Sequence, residues 1–413
     1  MTPTKNTAEE LLAIEDKWGA HNYHPLPIVV DHASGAWVYD VAGRRYLDCL
    51  SAYSALNQGH CHPKILAAFI EQAQRVTLTS RAFRNDQLPL FCRDLAALCQ
   101  LDTVLPMNSG AEAVETAIKA ARRWGYERKG IEAGRAEIIV CSGNFHGRTT
   151  TIIGFSSEAS YQHGFGPFTP GFITVPYGDL EALQAAITPN TCGFLVEPIQ
   201  CEAGIIIPPE GYLKGAAELC AANSVLLLAD EIQTGLGRVG AWFACQQEGV
   251  QPDLYMLGKA LSGGFYPVSA VVGRREVMDL FSPGSHGSTY GGNPLGCAVS
   301  RAALRVIADE GLVERAERLG KELLAALKPL QGGMVVEVRG RGLLAGIELD
   351  RAARPYCEAL ADRGVLCKET HDRVIRLAPP LVIAEEDLKW MVEQVCAVLS
   401  SEATSAVTGR ALE

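Results

Sequence analysis

An aspartate and a glycine-flanked lysine follow two apolar segments of the chain. Asp230 ends the run Val225-Leu-Leu-Leu-Ala-Asp, and Lys259 lies in Leu257-Gly-Lys-Ala-Leu-Ser-Gly-Gly. Strand ends of this kind meet at the sheet edge where α/β proteins bind ligands. A lysine that forms a Schiff base and an aspartate that keeps a pyridine nitrogen protonated are the groups a pyridoxal phosphate enzyme needs. The alternative is a turn-capping aspartate and a solvated lysine, and the combination of the two residues favours the chemical interpretation.

A second segment has the composition of an anion site. Ser109, Gly110 and Ala111 precede a long stretch with small residues at helical spacing. Small residues let backbone N–H groups approach a phosphate, and a helix N-terminus adds a partial positive charge. An ordinary helix cap is the competing interpretation of this segment alone.

Two other patterns are interpreted as structural. The glycines of Gly235-Leu-Gly-Arg-Val-Gly match a dinucleotide fingerprint by letter, but four residues separate them from Asp230, whereas a fingerprint turns directly from its strand. His60 and His62 lack a third ligand in register, so we predict no metal site.

The elements that must position these residues form an α/β pattern. Short apolar runs alternate with helix-length amphipathic stretches between about residues 101 and 273, which predicts a mostly parallel sheet. The predicted strands are 137–141, 172–176, 193–196, 225–229, 254–257 and 268–272, and the helices include 111–128 and 211–223. Helices and two strands after residue 294 predict a smaller α+β domain. The predicted division is an N-terminal segment 1–51 with a hairpin near Trp37, a large domain 52–294 and a C-terminal domain 295–413.

Composition excludes several classes of protein. The chain has 413 residues, and 37 basic against 47 acidic side chains give a net charge of −10, which argues against nucleic acid and anionic membranes as partners. No apolar run approaches about 18 residues, the length of a membrane-spanning helix. The 13 cysteines are scattered without Cys-x-x-Cys spacing, which is typical of free thiols in a reducing compartment. We therefore expect a cytoplasmic, non-membrane protein.

The chain resembles the class III pyridoxal-phosphate aminotransferases from about residue 16 to residue 398, and within them most closely the members that act on ornithine. The motifs that carry the resemblance are His21-Asn-Tyr-His-Pro-Leu-Pro, Asn57-Gln-Gly-His-Cys-His-Pro-Lys, Gly143-Asn-Phe-His-Gly-Arg-Thr, Gly287-Ser-Thr-Tyr-Gly-Gly-Asn-Pro and Ile375-Arg-Leu-Ala-Pro-Pro-Leu. The resemblance implies the aspartate-aminotransferase-like fold, called fold type I, with pyridoxal 5′-phosphate as cofactor.

The resemblance also implies roles around the cofactor. Lys259 would form the Schiff base and move the proton, Asp230 would hold the pyridine nitrogen, and Gln233 would bind the ring hydroxyl. Phe145 would stack on the ring. The remaining cofactor-binding residues would be Ser109, Gly110, Ala111, His146, Ser288 and Thr289, with Thr289 completing the phosphate site of the neighbouring subunit in a homodimer.

For the substrate, the resemblance implies transfer of the δ-amino group of L-ornithine to 2-oxoglutarate, giving glutamate 5-semialdehyde, which cyclises, and L-glutamate. Arg376 would bind the glutamate α-carboxylate, and Glu202 would neutralise Arg376 while ornithine is bound. Arg148 would hold the distal carboxylate, and Tyr23 and Tyr53 would select ornithine. Cys201 departs from the pattern, because the family has glycine at this position and a side chain there could restrict Glu202.

Three alternatives stay open at this point. N-acetylornithine or 4-aminobutyrate could be the amino donor on the same scaffold. An aminomutase or racemase would turn over one substrate without a keto acid. A non-catalytic cofactor-binding protein would have lost the lysine, and Lys259 argues against that class.

Overall fold

A computed structural model of the protein describes residues 6–400. Its strands are β1 (Val30–Ser34), β2 (Trp37–Asp40), β3 (Arg45–Asp48), β4 (Thr103–Met107), β5 (Glu137–Cys141), β6 (Phe172–Val175), β7 (Thr191–Val196), β8 (Leu226–Asp230), β9 (Leu254–Leu257), β10 (Ser269–Gly273), β11 (Val335–Arg341), β12 (Leu344–Leu349), β13 (Val365–Leu366), β14 (Lys368–Thr370) and β15 (Val374–Leu377).

The right-handed helices span Ala8–Trp18, Pro63–Arg75, Leu88–Cys99, Gly110–Trp124, Thr150–Ile153, Ala159–Gln162, Leu180–Ala186, Tyr212–Ala222, Arg275–Met278, Pro294–Asp309, Leu312–Leu327, Arg354–Asp362 and Glu385–Leu399. A π-helical turn, Gly125–Lys129, extends the helix that begins at Gly110. Within residues 6–400, no helix combines the length and apolar character needed to cross a bilayer.

The central sheet has seven strands in the order β4-β10-β9-β8-β7-β5-β6. Neighbours from β9 to β6 run parallel, whereas β10 is antiparallel to both β9 and β4. The predicted α/β class and mostly parallel sheet are therefore confirmed, with β4 as a strand that the sequence did not single out.

Strands β7 to β10 are buried on both faces of this sheet, which explains why they are nearly continuous apolar runs. Leu226 and Leu228 pack on one face with Ala117 of the helix Gly110–Trp124, and Leu227 packs on the other with Leu213. Successive side chains of a strand point to opposite faces, so a strand covered on both sides needs apolar residues at every position.

A second region is built on the four-stranded antiparallel sheet β11-β12-β15-β14, covered by the helices Leu312–Leu327, Arg354–Asp362 and Glu385–Leu399. The predicted hairpin near Trp37 forms as β2 and β3, and β3 pairs in parallel with β13 at Leu47 and Val365. This pairing supports assigning the N-terminal segment to the smaller domain. The domain boundaries at residues 51 and 294 stay a prediction. Residues 1–5 of the N-terminal segment and residues 401–413 of the C-terminal domain lie outside the described residues.

The loop Gly235–Gly240 is a structural element, as predicted. Arg238 is fully buried in it and donates to Asn57 Oδ1 at 2.7 Å, to Leu343 O at 2.8 Å and to Pro379 O at 2.6 Å. Burial lowers the pKa of Arg238 to about 9, and Arg376 adds to this effect. The loop thus connects the large domain to the N-terminal segment and to the smaller domain.

Candidate active site

The carboxyl edge of the central sheet surrounds a cavity of about 170 Å³. Asp230 ends β8, Lys259 begins a short 3-10 turn just after β9, and Gly110 begins the helix that follows β4. The residues that line the cavity include Gly110, Ala111, Phe145, His146, Glu197, Asp230, Ile232, Gln233 and Lys259. Seven of the fifteen predicted site residues therefore line this one cavity.

The side chain of Lys259 lines this cavity, and its amine is available to react. Lys259 has a φ of +47°, an unusual value for a side-chain-bearing residue, and its Nζ makes no hydrogen bond or ion pair with any residue in 6–400. Burial lowers the pKa of Lys259, and the nearby charge of Asp230 opposes that shift only in part. A lysine with a lowered pKa has a larger neutral, nucleophilic fraction near pH 7.

Asp230 is fixed from two sides. Its Oδ2 lies 2.7 Å from Nδ1 of His146, and its Oδ1 accepts the Ile232 N–H at 3.1 Å. The His146 imidazole is buried, and its Nε2 has no hydrogen-bond partner among the described residues. His146 therefore orients the carboxylate of Asp230 besides lining the cavity.

The start of the helix Gly110–Trp124 presents backbone donors to the cavity. Ser109 accepts the Glu112 N–H at 3.2 Å, and Glu112 Oε2 accepts the Ser109 N–H at 2.7 Å, which together form a capping box. These bonds leave the amides of Gly110 and Ala111, in the first turn, without intrahelical acceptors. A Cβ on Gly110 would come within 3.1 Å of Ile232 Cδ1, so glycine keeps this approach open.

The cavity fits pyridoxal phosphate, the cofactor that the resemblance implies. Phe145 and Ile232 supply apolar walls for a ring, the free amides of Gly110 and Ala111 suit a phosphate, and Asp230 suits a protonated ring nitrogen. Gln233 Oε1 accepts from Arg376 at 3.0 Å, which leaves its amide nitrogen as a donor. Lys259 supplies the amine that the aldehyde requires.

Arg376 and Glu202 form an ion pair beside this cavity. Arg376 Nη1 donates to Glu202 Oε1 at 2.9 Å, and the arginine side chain is 1% exposed while that of Glu202 is 25% exposed. The guanidinium lies 5.3 Å from the ring centroid of Tyr53. Its Nε has no partner among the described residues, so a buried donor remains for another acceptor.

Tyr53 is held in this position by an unusual backbone. Ser51, Ala52, Tyr53 and Ser54 have φ values between +45° and +70°, which make one left-handed turn. Such residues cost about 1–2 kcal/mol each, so surrounding contacts must hold the turn. Asp48 Oδ1 accepts the amides of Leu50 and Ser51 at 2.9 Å, and Ser51 Oγ donates to Ala378 O at 2.6 Å. Burial raises the pKa of Tyr53, and the charge of Glu202 raises it further.

The side chain of Cys201 lies in the core and does not line the cavity. It is fully buried in a cluster with Ile205, Val239 and Leu344, and burial raises the pKa of Cys201 to about 12. Cys201 is not among the residues of 6–400 with a positive φ, whereas Gly204 has a φ of +112°. The conformation at position 201 therefore accommodates a side chain, and the thiol packs between the two domains.

Four further predicted residues, Arg148, Tyr23, Ser288 and Thr289, are not among those that line the cavity. Arg148 is exposed and packs on Tyr161 at 4.5 Å and on Phe145 at 5.7 Å. Tyr23 is 72% exposed in the single chain, and Thr289 is also exposed. Ser288 Oγ accepts from Asn108 Nδ2 at 2.9 Å. The structure does not bring Tyr23 or Thr289 into the cavity of their own chain.

His60 and His62 serve different carboxylates. His60 Nε2 lies 2.8 Å from Asp48 Oδ2, and His62 Nε2 lies 3.3 Å from Glu310. Nowhere in residues 6–400 do three or more ligating side chains gather as a metal site would require.

Sequence reasoning missed Glu197, which is buried beside Asp230. It follows β7, and its Oε2 accepts the Phe145 N–H at 2.9 Å. Burial raises the pKa of Glu197 well above its usual 4.5, and Asp230 adds to the shift. The strand-end rule that singled out Asp230 could have found Glu197, because β7 and β8 are parallel neighbours.

Comparison with known proteins agrees with this geometry. Residues 18–399 match the family model "Aminotransferase class-III". The chain is 60% identical to the ornithine aminotransferase of Bacillus cereus (strain Q1) over 392 residues, 95% of this chain and 99% of that protein. Among solved structures, ornithine aminotransferase from Toxoplasma gondii ME49 superposes with a TM-score of 0.94 at 45% identity, covering 96% of each chain. Acetylornithine aminotransferase from Elizabethkingia anophelis superposes with a TM-score of 0.87 at 49% identity, covering 96% of this chain and 99% of the other. With a family match across nearly its whole length, the chain belongs to the class III aminotransferases.

Proposed function

We propose that the protein transfers the δ-amino group of L-ornithine to 2-oxoglutarate, giving glutamate 5-semialdehyde, which cyclises, and L-glutamate. The observation that carries this proposal is the ion pair between buried Arg376 and partly exposed Glu202 beside the cofactor cavity. The 60% identity to an ornithine aminotransferase supports the same reaction.

The enzyme is a pyridoxal-phosphate-dependent transaminase. When bound, pyridoxal phosphate supplies an aldehyde for the amino group and a ring that accepts the electrons of the broken C–H bond. Asp230, supported by His146, would keep the ring nitrogen protonated, and the backbone amides of Gly110 and Ala111 would hold the phosphate. Ser109 shapes this phosphate-binding turn through its cap. Lys259 Nζ takes the proton from the carbon that bears the amino group and later returns it.

The Glu202–Arg376 pair lets one pocket accept two substrates. Glutamate must present its α-amine, next to a carboxylate that Arg376 can bind through its charge. Ornithine must present its δ-amine, and a free Arg376 would attract the ornithine carboxylate to the wrong place. Glu202 satisfies Arg376 while ornithine is bound, and leaving a buried arginine unpaired would cost about 3–5 kcal/mol. The greater exposure of Glu202 makes it the partner that moves.

Three other residues complete the substrate site. Arg148 holds the distal carboxylate. Its contact with Phe145, which lines the cavity, supports this role. Tyr23 and Tyr53 face the free α-amine of ornithine, where a hydroxyl helps only an unacetylated amine. Acetylornithine transamination is the second candidate, favoured by the 49% identity to the Elizabethkingia anophelis enzyme.

The working unit that we propose is a cytoplasmic homodimer. Thr289 and Ser288 lie on an exposed segment, and Thr289 reaches the phosphate of the partner subunit. The 13 free cysteines support a reducing compartment.

A comparison of amino donors tests the proposed function. We expect a single turnover with L-ornithine to remove the absorbance of the aldehyde form of the cofactor in the holoenzyme. Added 2-oxoglutarate should restore that absorbance and yield glutamate. N-acetylornithine and 4-aminobutyrate should react at least tenfold more slowly, about 1.4 kcal/mol in transition-state binding. A faster reaction with either would replace the substrate, and turnover without any keto acid would indicate an aminomutase or racemase.

A further inference from the structure

The loop that carries Glu202 is fixed by the smaller domain. Thr370 Oγ1 donates to the main-chain carbonyl of Glu202 at 2.8 Å. The Arg339 guanidinium donates to Gly204 O at 2.7 and 3.0 Å and to Ile205 O at 3.0 Å. Three of the four main-chain carbonyls of residues 202–205, all except that of Ala203, thus accept hydrogen bonds from side chains of another part of the chain.

The same sheet holds Arg376. Thr370 ends β14, which pairs with β15 through Lys368 and Arg376, and Arg339 lies on β11 in the same four-stranded sheet. The glutamate of the ion pair therefore comes from a large-domain loop, while its arginine and the residues that hold the loop share one sheet.

The approach of Arg339 is specific. A Cβ on Gly204 would lie 3.2 Å from Arg339 Nη2 and 3.2 Å from Val374, so a side chain at position 204 would crowd the guanidinium. The charge of Arg339 is already balanced by Glu337 at 2.7 Å and by Glu348. Its bonds to the loop therefore orient the main chain rather than satisfy a bare charge.

We infer that Thr370 and Arg339 are positioning residues for the Glu202 gate. They hold the main chain of residues 202–205 at a set distance from Arg376, so that only the Glu202 side chain moves when the substrates alternate. The inference rests on the proposed function. A loosened loop weakens the Glu202–Arg376 pair, which harms the ornithine reaction. Glutamate displaces Glu202 in any case, so its reaction does not suffer.

The direction of this effect separates positioning from a merely structural role. With Thr370→Val in the holoenzyme, we expect the single-turnover kcat/KM for ornithine to fall about three- to tenfold, the effect of one lost hydrogen bond. The value for glutamate should stay unchanged or rise. Thr370→Ser keeps the hydroxyl and should restore the ornithine value. Equal losses with both substrates would overturn the inference.

A double variant tests whether Thr370 acts through Glu202. Glu202→Gln removes the charge of the gate, so adding Thr370→Val should cause no further loss with ornithine. Additive losses would show that Thr370 acts elsewhere and would contradict the inference.

Arg339 gives an independent arm with a control on the same strand. Arg339→Lys keeps a cation near Glu337 and Glu348 but loses the paired donors, so it should shift the ratio of ornithine to glutamate kcat/KM in the same direction as Thr370→Val. Arg341→Lys is the control, because Arg341 bonds only Gln247, at 3.1 Å, among the described residues. Equal ratios for the two variants would contradict the inference. A wild-type enzyme inactive with ornithine would instead overturn the proposed function.

Discussion

Burial shifts the pKa values of the ionisable side chains in this site in different directions. Lys259 and Glu197 are both driven toward their neutral forms, since burial lowers the pKa of the amine and raises the pKa of the acid. Asp230, between them, is bonded to His146 and to a backbone N–H. An amine with a lowered pKa, an acid with a raised pKa and one hydrogen-bonded carboxylate reduce the competing charge around the positive ring nitrogen that we propose for this site.

Glu197 should make the folded protein less stable as pH rises. The unfolded acid ionises near its usual pKa of 4.5, whereas the folded acid keeps its proton up to its raised pKa. Stability is therefore full below 4.5 and declines between the two values, by up to about 1.4 kcal/mol per pH unit. We expect Glu197→Gln to remove this decline, measured as urea midpoints of the cofactor-stripped enzyme from pH 5 to pH 8.

Exposed Glu181→Gln is the control for the Glu197 prediction, and it should follow the wild type at every pH. A constant difference between Glu197→Gln and the wild type over this range would mean that Glu197 is ionised in the folded state.

At the scale of elements, the site depends on how a few helices and strands end. The capping box of Ser109 and Glu112 shapes the turn that offers the Gly110 and Ala111 amides. The left-handed turn Ser51–Ser54 puts Tyr53 against Arg376. Neither the cap nor the turn contributes much apolar burial, so their hydrogen bonds must maintain them.

Glu112→Ala should weaken the helix start by about 1–2 kcal/mol at neutral pH, because the amides of Asn108 and Ser109 lose their acceptor. Burial alone would raise the pKa of Glu112, but these hydrogen bonds outweigh it and lower the pKa below 4.5. Its stabilisation is therefore complete above pH 4.5 and is lost as the pH falls through the lowered pKa.

Thermal unfolding at neutral and acid pH checks the Glu112 prediction, with exposed Glu132→Ala as the control. The deficit of Glu112→Ala should shrink in acid, and its affinity for pyridoxal phosphate should fall at neutral pH. An equal deficit at both pH values would refute the assigned role of the carboxylate.

For the whole molecule, the proposed site draws on residues of two separate sheets and, in our proposal, on two chains. The smaller domain supplies Arg376 and the residues that hold the Glu202 loop, and Arg238 connects the two domains from a fully buried position. Thr289 is exposed in the single chain, as a residue that serves the partner subunit would be.

Mixing two variants, each defective in a different part of the site, should show whether the two chains of a dimer share a site. Lys259→Ala abolishes the reaction, and Thr289→Ala weakens phosphate binding in the partner subunit. When the two variants are unfolded and refolded together, hybrid dimers should contain one site with both native residues. We expect activity at limiting cofactor to exceed that of either variant refolded alone. No gain, despite hybrids seen by native mass spectrometry, would place Thr289 in the site of its own chain.

The local pattern of the chain determined most of the fold and the centre of the site. Apolar runs long enough for a sheet covered on both faces predicted β5 to β10 to within a residue or two, and the strand ends brought Asp230 and Lys259 together. Asn293 caps the helix at Pro294, as its sequence context indicates. Such features depend on neighbours in sequence, which is why they can be predicted.

The tertiary structure alone decided what surrounds that centre. Thr370 and Arg339 reach the Glu202 loop across 168 and 135 residues of sequence, and the pKa of Glu197 is raised because the packed sheet excludes water from it. The packing of the Cys201 thiol with Ile205, Val239 and Leu344 is likewise a property of the folded chain. Hydrogen bonds between distant segments and the loss of hydration arise only when the chain is packed, so no local pattern encodes them.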